Sequence, residues 1–524
     1  MVRWWMIVVA VCGCSSSLLP GRNGEPAPAS CSDGVLDDAE TDVDCGGPCA
    51  PCSGGLHCLG SGDCVGQLCT NTICAGPGPA DLGPIGDGPQ GMNGAPDGLA
   101  PPDLSPALCP LRPMGEWHVS AAGSDQATPY AGNGSSACPL RTLGRAVDLA
   151  QLDGLSATIY LHQAVVRPTP YFGASISLRP GQSLAIQGDS IADIEIHGEI
   201  DITGGASPDK VTISKLTIKA NAGAPGLMIL SNPDVVVEDV TIPGGQGIGI
   251  NDNGAGSARF GPGLTIDGAA AQGIAVYSTT TSALVGTPQR PSSIRNATES
   301  CVSGVSSVGG NVTLTNCRKT AIVGVAQVNG VVVVGGGDGL NAAVSAAAIS
   351  ETQIIGYQGD AIACTNCTIS GNVQVTGTLL GAGVHVTSGA ASITGLLATG
   401  NHVDGLRCEG TSSLKLRGST LTGNDGNGLL AFGGCALDLG TATDPGNNQL
   451  NRTGAKNGTS GLCLLQTAGT GLSMSSCRFG CGYTGSGCVQ SGTPATSSAS
   501  SCQVADITLG PSLTLSTTGS SCCN

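Results

Sequence analysis

Apolar residues separated by single polar ones recur along this chain at a nearly constant interval. Val211, Ile213, Leu216, Thr217 and Ile218 return 24 residues later as Val235, Val237, Val240, Thr241 and Ile242, with the period-two alternation of half-buried strands. A turn element precedes an apolar residue at Pro225-Gly226-Leu227, Gln246-Gly247-Ile248, Gln272-Gly273-Ile274, Thr320-Ala321-Ile322, Asp338-Gly339-Leu340, Asp360-Ala361-Ile362, Ala382-Gly383-Val384, Asp404-Gly405-Leu406 and Asn427-Gly428-Leu429; the last four steps are 22, 22, 22 and 23 residues. A period of 22 to 24 is too short for helical repeats, and the Leu/Asn ladder of leucine-rich repeats is absent. The remaining solution is a parallel solenoid with three short strands per coil. About 12 coils at ~4.8 Å each make a rod of roughly 55 to 60 Å.

One helix is predicted, before the coils. Leu143, Ala146, Leu149 and Ala150 recur at helical spacing after the strand Trp117-His118-Val119-Ser120 and a polar loop. Within the coils, Gly400-Asn401-His402-Val403-Asp404-Gly405 is echoed by Gly423-Asn424-Asp425-Gly426-Asn427-Gly428. Asn and Asp tolerate left-handed turns, and Asn side chains stacked coil on coil form a hydrogen-bonded ladder.

Composition sharpens this picture. Of 524 residues, 84 are Gly and 25 are Cys, while only 2% are aromatic and 11% charged, which leaves too little charged surface for an ordinary helical or α/β enzyme. The net charge is −16, and residues 15–105 carry 12 acidic groups against Arg22 alone. A broad nucleic-acid footprint needs clustered Lys and Arg, so nucleic acid is not an expected partner.

The segment 107–152, with Gly123-Ser124-Asp125 and Cys138-Pro139-Leu140-Arg141-Thr142-Leu143, is similar to the N-terminal cap of right-handed parallel β-helix proteins of the pectate-lyase-like superfamily. The resemblance covers most of 107–524 and implies an all-β, right-handed parallel β-helix with a helical N-terminal cap. It does not bring an active site with it. The Arg-x-Pro-x-x-Arg pattern of pectate lyases is missing, since Arg290-Pro291-Ser292-Ser293-Ile294-Arg295 lacks the first spacer. The Asn-Thr-Asp, Asp-Asp and Gly-His-Gly set of polygalacturonases is also absent.

The N-terminal segment has its own organisation. Arg3 and an apolar run from Met6 to Val11 precede Cys12-Gly13-Cys14, a signal peptide too short to span a bilayer. Its end looks like the lipobox of bacterial lipoproteins, with Cys14 as the lipidation site. The expected address is therefore the bacterial cell envelope, at the outer membrane or cell surface, and the expected partner is a membrane reached through a lipid anchor. Removing Cys12 and Cys14 leaves 23 cysteines in an oxidising compartment, where most form disulfides.

The expected segments are 1–14 (leader and lipid site), 15–30 (tether), 31–74 (disulfide module), 75–106 (linker), 107–462 (β-helix with its cap at 107–152) and 463–524 (Cys-rich C-terminal cap). The module contains Cys31, Cys45, Cys49, Cys52, Cys58, Cys64, Cys69 and Cys74. Its C-x-x-C spacing admits zinc, but export favours disulfides. Asp42 and Asp44 belong to an acidic run that reads either as a solvated turn or as a weak calcium site, without the twelve-residue calcium loop. No cofactor is otherwise called for. The linker has 8 Gly and 8 Pro in 32 residues, a composition that keeps it extended over on the order of 100 Å.

Candidate chemistry is sparse. Asp338 and Asp360 fall one predicted coil apart, close enough to share a proton or to bind calcium, and Asp404 falls in the same column; Asp before Gly also suits any turn. The next outward column reads Asn341, Ala363, His385, Arg407 and Leu430. His385 and Arg407, with His402 and Asp404 nearby, are the best acid/base cluster, and repulsion from Arg407 is expected to lower the His385 pKa. Two functions stay open. One is a non-catalytic surface lipoprotein that presents the β-helix to carbohydrate, matrix or another cell. The other is a polysaccharide lyase or glycoside hydrolase with an atypical site.

Overall fold

The computed structural model describes chiefly residues 108–126, 132–154, 156–163, 169–244, 247–277 and 281–440, with shorter pieces between 45 and 74 and between 443 and 518. Two compact units divide the chain, Met1–Asp103 and Leu104–Asn524. In the larger one the coils between Ala157 and Phe432 place short strands on three parallel sheets, and successive coils pair strand on strand. The expectation drawn from Val211 and Val235 holds: Val211 pairs with Val235, Ile213 with Val237, Leu216 with Val240 and Thr217 with Thr241.

Alternation on each strand sends one set of side chains inward. On the first sheet Ile159, Ile186, Ile213, Val237, Phe260 and Leu284 stack coil on coil, each essentially buried. Burial stabilises each such side chain by about 1.5–3 kcal/mol. On the third sheet the inward ladder runs through Ile250, Ile274, Val302, Ile322 and Val344, then Ile362, Val384, Leu406 and Leu429.

That ladder corrects two predicted turn elements. Leu227 pairs with Ile250, so the turn is Ile248-Gly249-Ile250 and not Gln246-Gly247-Ile248. Ile322 pairs with Val344, and Val344 with Ile362. The equivalent of Asp360-Ala361-Ile362 is therefore Ala342-Ala343-Val344, and Leu340 is 90% exposed. In both places a Gly followed by an aliphatic residue mimics the motif two to four residues early, and burial of the true inward residue decides the register. A coil at Val302, which has no such turn element before it, completes the series. Strands Leu462–Leu465 and Ile507–Leu509 carry the third sheet beyond the predicted boundary at 462.

The corners explain part of the glycine excess. Where the chain turns from the first sheet to the second, one residue adopts positive φ: Lys215 (56°), Asp239 (51°), Glu351 (47°), Gly371 (60°), Gly395 (72°) and Gly418 (54°). A residue with a Cβ is strained there, which favours Gly.

The predicted helix, α1, spans Leu143–Asp153 and buries Leu143, Ala146, Val147 and Ala150 in the same core as Val119, Ile159 and Ile176. Thr142 caps it by accepting from the Arg145 amide. Asp125 fastens that cap, since its carboxylate accepts from the Arg141 amide (2.8 Å), the Thr142 amide (3.0 Å) and the Thr142 hydroxyl (2.7 Å). Disulfides join Cys109 to Cys138, Cys301 to Cys317, Cys364 to Cys367 and Cys408 to Cys435. In the small unit Cys45 pairs with Cys52 and Cys64 with Cys74, and Cys49 and Cys58 are also disulfide-bonded. The sulfurs of Cys58, Cys64 and Cys74 lie close together, but as disulfides they are not available as zinc thiolates. Cys14, Cys31, Asp42 and Asp44 lie outside the described residues, as does the side chain of Cys69. Among the described residues, no helix is long and apolar enough to cross a membrane.

Candidate functional site

The outward face of the third sheet brings three of the five candidate residues, Asp360, His385 and Arg407, into one neighbourhood. His385 and Arg407 sit side by side on adjacent strands. His385 Nδ1 lies 2.8 Å from Asp360 Oδ2, and Asp360 Oδ1 accepts from the Ala382 amide at 2.7 Å. On the other edge of the ring, His385 Nε2 is 3.3 Å from Glu409 Oε1, and Arg407 Nε is 3.9 Å from Glu409 Oε2. The second contact is too long for a hydrogen bond, and neither buried nitrogen has a hydrogen-bonded partner. The Arg407 guanidinium lies over the Phe432 ring, 4.9 Å from its centroid. Glu409 is absent from the sequence-based cluster. It stands two residues after Arg407 on the same outward face, so the strand's own alternation points to it.

The electrostatics correct one expectation. The Asp360 hydrogen bond raises the His385 pKa above the ordinary imidazole value, with Asp360 and Glu409 charges adding to it. Two flanking carboxylates outweigh the repulsion expected from Arg407. Burial pushes Asp360 upward, but the bonds from His385 and the Ala382 amide outweigh it and hold the carboxyl below its usual range. The imidazole and the carboxylate are thus a hydrogen-bonded pair, each favouring the charged form of the other.

The other candidates separate. Asp338 lies four residues before the position in register with Asp360. Its carboxylate closes its own turn, accepting from the Leu340 and Asn341 amides at 3.0 Å each and from Asn341 Nδ2 at 2.9 Å. The predicted Asp338 and Asp360 pair is therefore not formed, and Asn341 is not in the outward column. Asp404 is buried and accepts from the Asn427 amide and Nδ2, both at 2.8 Å; burial raises its pKa. It is a turn ladder, as Asp before Gly allows. His402 sits against Asp425 at 3.1 Å with both side chains exposed.

The first sheet carries a different feature. Shallow grooves of about 220, 400 and 530 Å³ lie on it. They follow one outward column, Thr158, Ala185, Thr212, Val236, Arg259 and Ala283 at one end and Thr368, Ser392, Lys415 and Asp438 at the other. Small and hydroxylated side chains open the furrow at most of these positions, and the charged Arg259, Lys415 and Asp438 interrupt it. Beside it Arg417 is clamped by Asp438 (2.7 Å) and Asp444 (2.9 Å). Of the aromatic side chains, Tyr171 and Tyr357 are buried, while Phe172 and Tyr277 are exposed.

Strand register, three-sheet coils and a capping helix define this molecule as a parallel β-helix protein. No family model matches the chain, and no curated protein matches it. Among solved structures it is similar to tailspike protein 3 of bacteriophage CBA120, at 13% identity and a TM-score of 0.32, over 77% of this chain and 61% of that one. It is also similar to the A-module of the mannuronan C-5 epimerase AlgE4 of Azotobacter vinelandii, at 13% identity and a TM-score of 0.23, over 73% of this chain and 90% of that one.

Proposed function

We propose that this chain is an exported, lipid-anchored surface protein whose β-helix contacts extended carbohydrate without cleaving it. The grooved face of the first sheet is the observation that carries this reading. Six of the ten named positions in its column, Thr158, Ala185, Thr212, Ala283, Thr368 and Ser392, are small or hydroxylated, and successive coils are ~4.8 Å apart, a spacing suited to a polymer whose own units repeat. Such a surface offers many weak hydrogen bonds in place of one deep pocket. The anchor at Cys14 and the acidic linker would hold that face away from the membrane.

The test is co-sedimentation of the whole chain, with Cys14→Ser for solubility, against a panel of neutral and acidic polysaccharides. Binding by the parent and its loss on filling the furrow with Ser392→Trp and Ala185→Trp is the expected result. Unaltered binding in both variants overturns the assignment to this face. A second reading, cleavage at the third sheet, is favoured by the bonded Asp360 and His385 pair beside Arg407. Release of reducing ends or unsaturated products, abolished by Asp360→Ala or His385→Ala, would establish it in place of the first.

A further inference from the structure

We propose that His118 and His162, on the two N-terminal strands of the first sheet, form a two-histidine site for a borderline divalent transition-metal ion such as Zn²⁺. His118 lies on strand Glu116–Ser120 and His162 on strand Ala157–His162. His118 Nδ1 and His162 Nε2 are 2.7 Å apart, and the ring centroids are 5.0 Å apart with planes inclined by 9°. Nearest nitrogens that close with centroids that far apart mean the rings meet edge to edge, nitrogen to nitrogen.

Behind each ring stands a carboxylate. His162 Nδ1 is 3.2 Å from Asp189 Oδ1, whose second oxygen is fixed by the Gln163 amide at 3.0 Å. His118 Nε2 is 3.9 Å from Glu116 Oε2. A carboxylate behind a ligating imidazole draws the ring N–H to the outer side and turns the lone pair inward. In the metal-free chain one ring donates its inner N–H to the other; a metal ion would take both inner nitrogens once that proton moves to the outer nitrogen of its own ring.

The remaining geometry supports exchange. Zinc bonds imidazole nitrogen at ~2.0–2.1 Å, so tetrahedral binding opens the pair by roughly 0.6 Å with a tilt of each ring. Tyr171 Oη donates to the His162 carbonyl at 2.6 Å and holds that strand end, and the Tyr160 ring lies against His118 with centroids 5.1 Å apart. The His162 side chain is 34% exposed, which leaves room for water in the open coordination positions. The charged and titratable groups facing the pair are Glu116, Asp189, Tyr160 and Tyr171, and imidazole is a fitting ligand for zinc, copper and nickel.

Calorimetric titration of the whole chain with Zn²⁺ alone at pH 7.5 tests this. One equivalent is expected to bind. Affinity should fall at least tenfold in His118→Gln and His162→Gln, by 10–100-fold in Asp189→Asn, and not at all in His402→Gln. Imidazole C–H resonances of the wild-type chain give a readout free of folding effects, since Zn²⁺ should shift or broaden those of His118 and His162 first. No binding to the folded wild type, equal binding in both His variants, or shifts confined to the other histidines would overturn the site.

Discussion

Replacement of Asn424 by Ala should open the polar ladder inside the C-terminal coils. Asn401, Asn424 and Asn457 are all about 1% exposed or less, at one corner of three successive coils. Asn424 Oδ1 accepts from Asn401 Nδ2 at 2.8 Å and from the Asn401 amide at 3.1 Å. Its own Nδ2 donates to Asn457 Oδ1 at 3.0 Å and to the Ala398 carbonyl at 3.3 Å. The Ala variant strips both donors of Asn401 of their acceptor in a buried corner. At about 1–3 kcal/mol for each unsatisfied buried group, the loss is about 3–5 kcal/mol, allowing some relaxation. The His402→Ala control removes an exposed side chain and should cost less than about 0.5 kcal/mol. Repeat arrays unfold by parts, so native-state hydrogen exchange is the right assay. The Asn401 amide, protected by the Asn424 side chain, should exchange 100-fold faster or more, while amides near Ile213 keep their rates. A change under about 1 kcal/mol at Asn401, or one matching His402→Ala, would refute the reasoning.

Three further outcomes follow from the same structure. Because His385 has a raised folded pKa, its pairing stabilises fully below the unfolded value near 6.5 and is lost as pH rises through the folded value; the denaturation gap between wild type and His385→Gln should shrink from pH 5 to pH 9. Asp252 is 1% exposed, with Oδ2 unbonded and Oδ1 accepting from the Gly254 amide at 3.0 Å, and burial lifts its pKa to about 6. The folded chain holds this proton more tightly than the unfolded one, so stability falls as pH rises from 4 to 6. Asp252→Asn, which keeps the Gly254 bond, should remove that slope and gain about 2–3 kcal/mol at pH 7.5 in a denaturant titration. Gly395 has φ +72° and open space where a Cβ would lie, so Gly395→Ala should cost about 1–2 kcal/mol from backbone strain alone by the same titration.

What was legible in the amino-acid sequence is what repeats locally. The apolar alternation of Val211 and Ile213, the helical spacing of Leu143, Ala146 and Ala150, and the doubled Gly-Asn signature each reflect burial imposed on neighbouring residues. The parallel coil, the single capping helix and the Asn ladder followed from them. Outward chemistry was legible only where the coil length held constant. His385 beside Arg407 was placed correctly because the steps around it are 22 and 23 residues. Asp338 was misplaced because the loop after Gly336 shifts the inward residue to Val344.

Tertiary structure alone decided the rest. Which carboxylates flank His385, and so whether its pKa rises or falls, depends on rotamers reaching across coils to Asp360 and Glu409. The meeting of His118 with His162, 44 residues apart, depends on two strands that pair across the intervening helix. Period and burial are written residue by residue along a chain, but charge pairing on the outer surface is fixed by register between coils, which no single coil specifies.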